Sequence, residues 1–153
     1  MTKQFEISIS NRTNVLESIN NLSVDQINKI PEGFNNSICW NVGHILVSQQ
    51  LLTYKLAGFD CLVPTFLIEK YKKGSTCTEN TSIDEIEKIK NNLLSVVNRT
   101  YEDYKNSIFK NYSEYVTSSG IILNNIEEGI QFSNIHDAIH IGIIMSLKKI
   151  LQS

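Results

Sequence analysis

Residues 82–104, SIDEIEKIKNNLLSVVNRTYEDY, constrain the fold of this chain more than any other stretch. Their apolar side chains recur at intervals of three and four residues, which is typical of one face of an α-helix. Ser82, followed three residues later by Glu85, is typical of a capping box at a helix N-terminus. We therefore predict an amphipathic helix here, and its apolar stripe needs other elements to cover it.

The rest of the chain is also predicted to be helical, because it holds only two prolines and no internal repeat or glycine-rich linker. Three further long helices are expected, over about residues 4–21, 37–57 and 124–151. Their boundaries rest on these capping residues and glycines: Asn36 or Ser37 before the second helix, Gly58 after it, and Asn124 with Glu127 as its capping-box partner at the start of the last.

The connecting segments are short. A brief helix led by Ser23 is expected after the first long helix, and a crossover helix between Pro64 and Gly74. Residues 75–81 are predicted to be a polar loop, and residues 112–120 a strand pair or an extended loop. The sequence thus predicts an all-α four-helix bundle with a short crossover helix between helices two and three.

Length and composition predict one soluble domain over residues 1–153, with 41% hydrophobic and 20% charged residues. A net charge of −2 without a basic stripe argues against a nucleic-acid partner. No apolar run approaches the length of about 18 residues that a membrane span needs. Residues 1–12 lack the features of a secretory signal, so we expect a cytoplasmic protein whose Cys39, Cys61 and Cys77 are thiols.

Two of the three histidines, His136 and His140, lie four residues apart in the predicted last helix. This spacing places both rings on the core-facing stripe one turn apart, where they can chelate one ion. His44 lies on the inward face of the second long helix. Histidines packed in the core with hydrogen-bond partners are the alternative, but burying three imidazoles without a common partner costs several kcal/mol. We therefore predict that His44, His136 and His140 bind a metal ion.

Three histidines without a carboxylate suit Zn²⁺, Ni²⁺ or Fe²⁺ better than Mg²⁺ or Ca²⁺. Such an ion is expected to act as a Lewis acid, for hydrolysis or for transfer of a thiol. Ser48 and Ser133 lie one turn from predicted ligands, so they either hydrogen-bond to a ligand or line a pocket, or are small residues that fill the core. Trp40, one turn before His44, is interpreted as core packing, with lining of a substrate pocket as the alternative.

Two other kinds of catalytic site are less consistent with the sequence. HDAIH, residues 136–140, resembles the H-E-x-x-H motif of zinc peptidases, but it has the shorter Asp137 where that motif has Glu. A cysteine nucleophile would need to lie beside a histidine, and Cys39 falls on a different face of its helix from His44. A buried, unreactive thiol is the simpler interpretation of Cys39.

SICWNVGHIL and HDAIHIGIIMSLKKI together resemble the DinB-like (DinB/YfiT) superfamily, and the resemblance extends over essentially the whole chain. It implies a four-helix bundle with a divalent metal held by one histidine of helix two and two of helix four, which match His44, His136 and His140. No nucleophile or base carries over from the family.

The same resemblance implies chemistry with low-molecular-weight thiols, because known members include thiol-dependent transferases and isomerases. We accordingly expect a metal-dependent transferase that acts on a small electrophilic substrate. A metal-dependent hydrolase is one alternative. The other is a non-catalytic bundle with a structural metal that works through binding or as a homodimer.

Overall fold

The computed structural model of the protein describes residues 1–76 and 80–152. The helices and strands follow one another along the chain in this order: α1 (Thr2–Ile19), α2 (Val24–Asn28), α3 (Ile38–Gln50), which continues as a π-helical turn (Leu51–Lys55), α4 (Thr65–Tyr71), α5 (Ile83–Lys105), β1 (Tyr115–Val116), β2 (Ile122–Leu123) and α6 (Ile126–Gln152). The predicted all-α fold is therefore confirmed, with a two-residue antiparallel ladder as its small β element.

The four long helices pack against one another as a bundle. Helices α5 and α6 each pack against both α1 and α3. The short α4 packs on α3. It is the crossover helix that was predicted between the second and third long helices, which are α3 and α5. In the described part of the chain, no helix is both long enough and apolar enough to span a bilayer.

Helix α3 is the centre of the bundle, because each of its residues from Ile38 to Gln50 is buried. Its sequence, ICWNVGHILVSQQ, is apolar on several sides, as expected of a helix that is covered all round. Every polar side chain on α3 must then find a partner inside the protein, since burial without a hydrogen bond is costly. This requirement applies to the predicted ligand His44.

An ion pair between Arg12 of α1 and Asp137 of α6 lies in the interior, with both side chains fully buried. Arg12 Nε is 3.1 Å from the Asp137 carboxylate, and its other nitrogens donate to the carbonyl oxygens of Leu93 and Ile45. One guanidinium thus connects α1, α3, α5 and α6.

The second long helix was predicted over about residues 37–57, and the helical path covers this range, but its last turn is not α-helical. Ser37 caps the helix as expected, but the α-helical geometry ends at Gln50 and a wider π turn follows. The Thr53 hydroxyl donates to the carbonyl of Gln49 over 2.7 Å, and the Leu56 amide bonds five residues back to Leu51. Gly58, with a φ of +83°, then ends the helical path, as predicted.

The start of α6 also differs from the prediction by one residue. Asn125 and Glu128 form the reciprocal cap, because the Asn125 side chain accepts from the Glu128 amide. Glu127, the expected partner of Asn124, instead accepts a hydrogen bond from the Tyr104 hydroxyl. The strand pair falls at residues 115–123, somewhat later than the predicted 112–120, with Gly120 at its turn.

Candidate metal centre

His44 lies on the buried helix α3, and two groups fix the orientation of its ring. The indole of Trp40 stacks on it with centroids 4.5 Å apart and an interplanar angle of 14°. His44 Nδ1 lies 2.6 Å from the carbonyl oxygen of Tyr71, at the end of α4. A carbonyl can only accept, so Nδ1 carries the proton and the lone pair is on Nε2.

His136 and His140 reach the same place from successive turns of α6. Their ring centroids are 4.5 Å apart, and they lie 5.0 Å and 4.7 Å respectively from the centroid of His44. The i, i+4 spacing in the sequence therefore places both imidazoles against the one contributed by α3.

One ring nitrogen of each histidine lies within 4.8 Å of the corresponding nitrogens of the other two. Three atoms with these separations can all lie within about 2.8 Å of one common point. A Zn–N bond is ~2.0–2.1 Å long, so only a small shift of the rings is needed to bind one ion. The three-histidine group could therefore hold a divalent metal ion.

All three imidazoles are kept neutral by their surroundings. Burial lowers the pKa of His136 to about 3, and the neighbouring His140, His44 and Arg12 lower it as well. Burial, followed by His44, lowers the pKa of His140 to about 4. Burial also lowers the pKa of His44, against an opposing effect of its hydrogen bond to Tyr71. Neutral rings have the lone pairs that a metal requires.

The hydrogen bonds behind the rings also fit a metal site. His140 Nδ1 lies 2.8 Å from Asn41 Oδ1, and the Asn41 amide donates to the carbonyl of Ser37, which assigns its oxygen to His140. Metal-binding histidines commonly donate their second ring nitrogen to such an acceptor. With both Nδ1 atoms donating, His44 and His140 each keep Nε2 for the shared centre.

His136 provides a further test of the fit. Its Nδ1 atom is buried and has no hydrogen-bond partner among the described residues. A buried nitrogen without a partner is costly, and each such atom in a folded protein calls for an explanation. An ion bound through Nδ1 would give this atom a partner, and a set of three imidazole donors suits a transition metal.

A cavity of about 280 Å³ lies beside the histidines, and His44 and His136 form part of its wall. The π turn and α6 supply the apolar part, from Leu51, Leu52, Leu56 and Phe132. Ser48 also lines this cavity, and its hydroxyl lies 3.3 Å from His44 Nε2. His44 and His136 thus border a space that is large enough for a small molecule.

Comparison with known proteins agrees with this geometry. Residues 9–144 match the DinB superfamily. The chain belongs to the DinB superfamily. No curated protein matches the chain significantly. The predicted family is therefore confirmed.

The other residues that the sequence suggested lie at different distances from the three histidines of this DinB-superfamily chain. Trp40 is in the core, stacked on His44, and its Nε1 donates to the Ser75 hydroxyl over 3.1 Å. Ser133 is buried in a small void beside Phe5 and Ser8, and its hydroxyl has no partner among the described residues. It does not line the larger cavity.

The rejected catalytic arrangements are also accounted for. Asp137 is bound to Arg12 inside the bundle, so it is not available as the base of a zinc-peptidase site. Burial raises the pKa of Asp137, and Arg12 opposes that shift. Cys39 is buried, and its Sγ atom lies 3.8 Å from the Tyr71 hydroxyl oxygen. Cys77 lies outside the described residues.

Two groups around the histidines were not singled out from the sequence. Asn41 was detectable, because it is a polar residue within the apolar run ICWNVGHILV, three residues before His44. The role of the Tyr71 carbonyl could not be predicted, because every residue has a carbonyl group. Only the packing of α4 on α3 places this one beside His44.

Proposed function

We propose that the protein is a metal-dependent enzyme in which His44, His136 and His140 ligate one divalent ion, Zn²⁺, Ni²⁺ or Fe²⁺. The observation that carries the proposal is the meeting of three neutral imidazoles at the wall of a cavity that two of them line. A structural metal site has a closed ligand set, whereas a catalytic site keeps a position open to substrate.

The chemistry that a bound ion supplies here is stabilisation of negative charge on a neighbouring sulfur or oxygen atom. The protein residues hold the geometry. Asn41 and the Tyr71 carbonyl fix the orientation of His140 and His44, and Trp40 supports His44 from one face. Leu51, Leu52 and Phe132 limit the access of water to the reacting atoms.

The reaction that we propose is transfer of a low-molecular-weight thiol to a small electrophile. The thiol loses its proton to solvent, its sulfur forms a bond to the electrophilic carbon, and the leaving group departs with the electron pair of the broken bond. Two considerations support a thiol: the DinB resemblance implies one, and none of the described residues that line the cavity is an Asp or Glu that could act as a base for water.

The test begins with metal content and activity of the same preparations. The wild-type protein, loaded with Zn²⁺, Ni²⁺ or Fe²⁺, is assayed with small thiols and model electrophiles, and separately with activated esters. His140→Ala is expected to lose stoichiometric metal and at least tenfold in rate, because two ligands hold an ion far less well than three. Ile139→Ala is the matched control, because Ile139 is the adjacent residue and is 58% exposed.

Each outcome of this experiment decides between functions. A metal-dependent rate with thiols supports the transferase, and a metal-dependent rate with esters alone moves the assignment to a hydrolase. Stoichiometric metal without any rate in either assay contradicts an enzyme and leaves a bundle with a structural metal. Full metal content in His140→Ala would contradict the proposed ligand set.

A further inference from the structure

Two lysines contribute to the lining of the cavity beside the histidines. Lys55 is the last residue of the π turn, and Lys73 follows α4 two residues after Tyr71. Both are exposed to solvent along part of their length. They come from separate elements, yet both reach the space that His44 and His136 border.

Neither lysine is in an ion pair with a described residue, in contrast to their neighbours in the sequence. Lys70 is paired with Glu85 and Lys72 with Glu69, whereas Lys73, the next residue, has no such carboxylate among residues 1–76 and 80–152. The amino groups of Lys55 and Lys73 are therefore available to a bound molecule.

The rest of the described lining does not balance these two charges. It consists of apolar side chains, the two histidines, and hydroxyl-bearing residues such as Tyr115 and Thr117, without a carboxylate. The whole chain carries a net charge of −2, so this cavity differs in sign from the protein around it. A cleft of one sign with low-dielectric walls concentrates small ligands of the opposite sign.

We propose that the cavity binds a small molecule with an apolar body and an anionic group, the apolar body against Leu51, Leu52 and Phe132 and the anionic group at Lys55 and Lys73. The proposal rests on the proposed function for its role, since it describes the substrate of that site. A volume of about 280 Å³ is near the lower end of the range for small-molecule pockets, so the part of the ligand inside the cavity is small.

The anionic group is a carboxylate or a phosphate, and lysine binds both as a point charge. The probes are 4-phenylbutanoate, 3-phenylpropyl phosphate and 4-phenylbutanamide, which share one apolar body, a phenyl ring on three methylene groups. The amide is the neutral counterpart of the carboxylate. Binding is measured by calorimetry and by the fluorescence of Trp40, the single tryptophan of the chain, which stacks on His44.

The variants are Lys55→Met, Lys73→Met and the double variant, which keep the apolar stem and remove the charge. We expect the anionic probes to bind at least tenfold more tightly than the amide. Each single variant should weaken anion binding about threefold and the double variant about tenfold, in line with partly exposed ion pairs. Affinity should also fall with added salt. Lys110→Met, outside the cavity, is the control and should change nothing.

Every titration is done with zinc-loaded protein and with protein treated with a chelator, because a metal ion could itself hold the anion. Two results together overturn the proposal: the chelator abolishes the tighter binding of the anionic probes, and the double lysine variant of the zinc-loaded protein still binds them as the wild type does. Equal affinity for amide and carboxylate overturns it too. Lysine-dependent binding in protein that shows no metal-dependent rate supports this proposal while contradicting the proposed enzyme, so the two can fail separately.

Discussion

At the scale of single residues, the orientation of each predicted ligand depends on the groups that contact its imidazole ring. His44 is held by a backbone carbonyl and an indole face, and His140 by the amide oxygen of Asn41. The carbonyl cannot be removed by substitution, whereas Asn41 can. Asn41 is therefore the residue at which the orientation of a predicted ligand can be tested without touching any ligand.

Asn41→Leu should weaken zinc binding by about 10- to 100-fold, the usual effect of losing a hydrogen-bond partner of a metal-binding histidine. Asn41→Asp keeps an acceptor for His140 and should retain most of the affinity. Competition with a chromophoric chelator measures both. Equal affinity of Asn41→Leu and the wild type would show that Asn41 does not orient the ligand.

The ion pair of Arg12 and Asp137 gives a second prediction at this scale. Arg12→Met should lower the free energy of unfolding by about 3–5 kcal/mol, because it leaves a buried carboxylate without its partner. Replacing both residues, as Arg12→Met with Asp137→Leu, should recover a large part of that loss. Urea unfolding measures each value.

The ion pair of Arg99 and Asp103, in which the buried carboxylate also accepts from the Tyr54 hydroxyl, is the control for this experiment. The Arg99 side chain is 64% exposed, so Arg99→Met should cost less than about 1 kcal/mol. If Arg12→Met were as mild as Arg99→Met, the interior ion pair would not be what connects the four long helices.

At the scale of elements, two glycines in helices have opposite surroundings. A Cβ atom added to Gly43 of α3 would lie 2.5 Å from the ring of Tyr71, which is fully buried and donates to Glu85. A Cβ atom added to Gly142 of α6 would meet nothing within 4 Å. Glycine is therefore required at position 43, where α3 and α4 cross, and is not required by the surroundings of position 142 in α6.

Gly43→Ala should destabilise the protein by about 1–3 kcal/mol, since α4 must move away from α3 to admit the methyl group. Gly142→Ala should stabilise it by about 0.5–1 kcal/mol, because alanine favours a helix interior. Thermal unfolding of the two variants side by side checks both signs. A stabilising Gly43→Ala would mean that α4 is not packed tightly on α3.

The elements also show how far the sequence could predict the fold. Helices α1, α5 and α6 were found within about two residues of their ends, because periodicity and caps such as Ser82 are local signals. The π turn that continues α3 was not predicted, because it depends on which carbonyl oxygen each amide binds, as when the Leu56 amide binds Leu51 five residues back. The spacing of His136 and His140 and the inward face of His44 predicted that the three rings would meet, and they do lie together. Lys55 and Lys73 were not, because only the folded chain brings them to one cavity.

At the scale of the whole molecule, the predicted ion lies between two helices that are far apart in the chain. His44 belongs to α3, and His136 and His140 to α6, so the ion would cross-link residues 92 or more positions apart. The bundle also has a core independent of this link, extending from Val15 and Ile19 of α1 to Leu93 of α5 and Leu147 of α6. A homodimer remains a prediction at this scale.

The last prediction follows from these two facts together. The metal-free chain should be folded at 25 °C, with helical circular dichroism, because its apolar core does not include the ion. Zinc at about 100 times its dissociation constant should then add about 2.7 kcal/mol, which corresponds to a rise of roughly 5–10 °C in the thermal midpoint. His140→Ala should lose this rise, whereas Ile139→Ala, one residue away on the exposed side of α6, should keep it. A metal-free chain without helical structure, or an undiminished rise in His140→Ala, would contradict an ion that joins α3 to α6 in a bundle already formed.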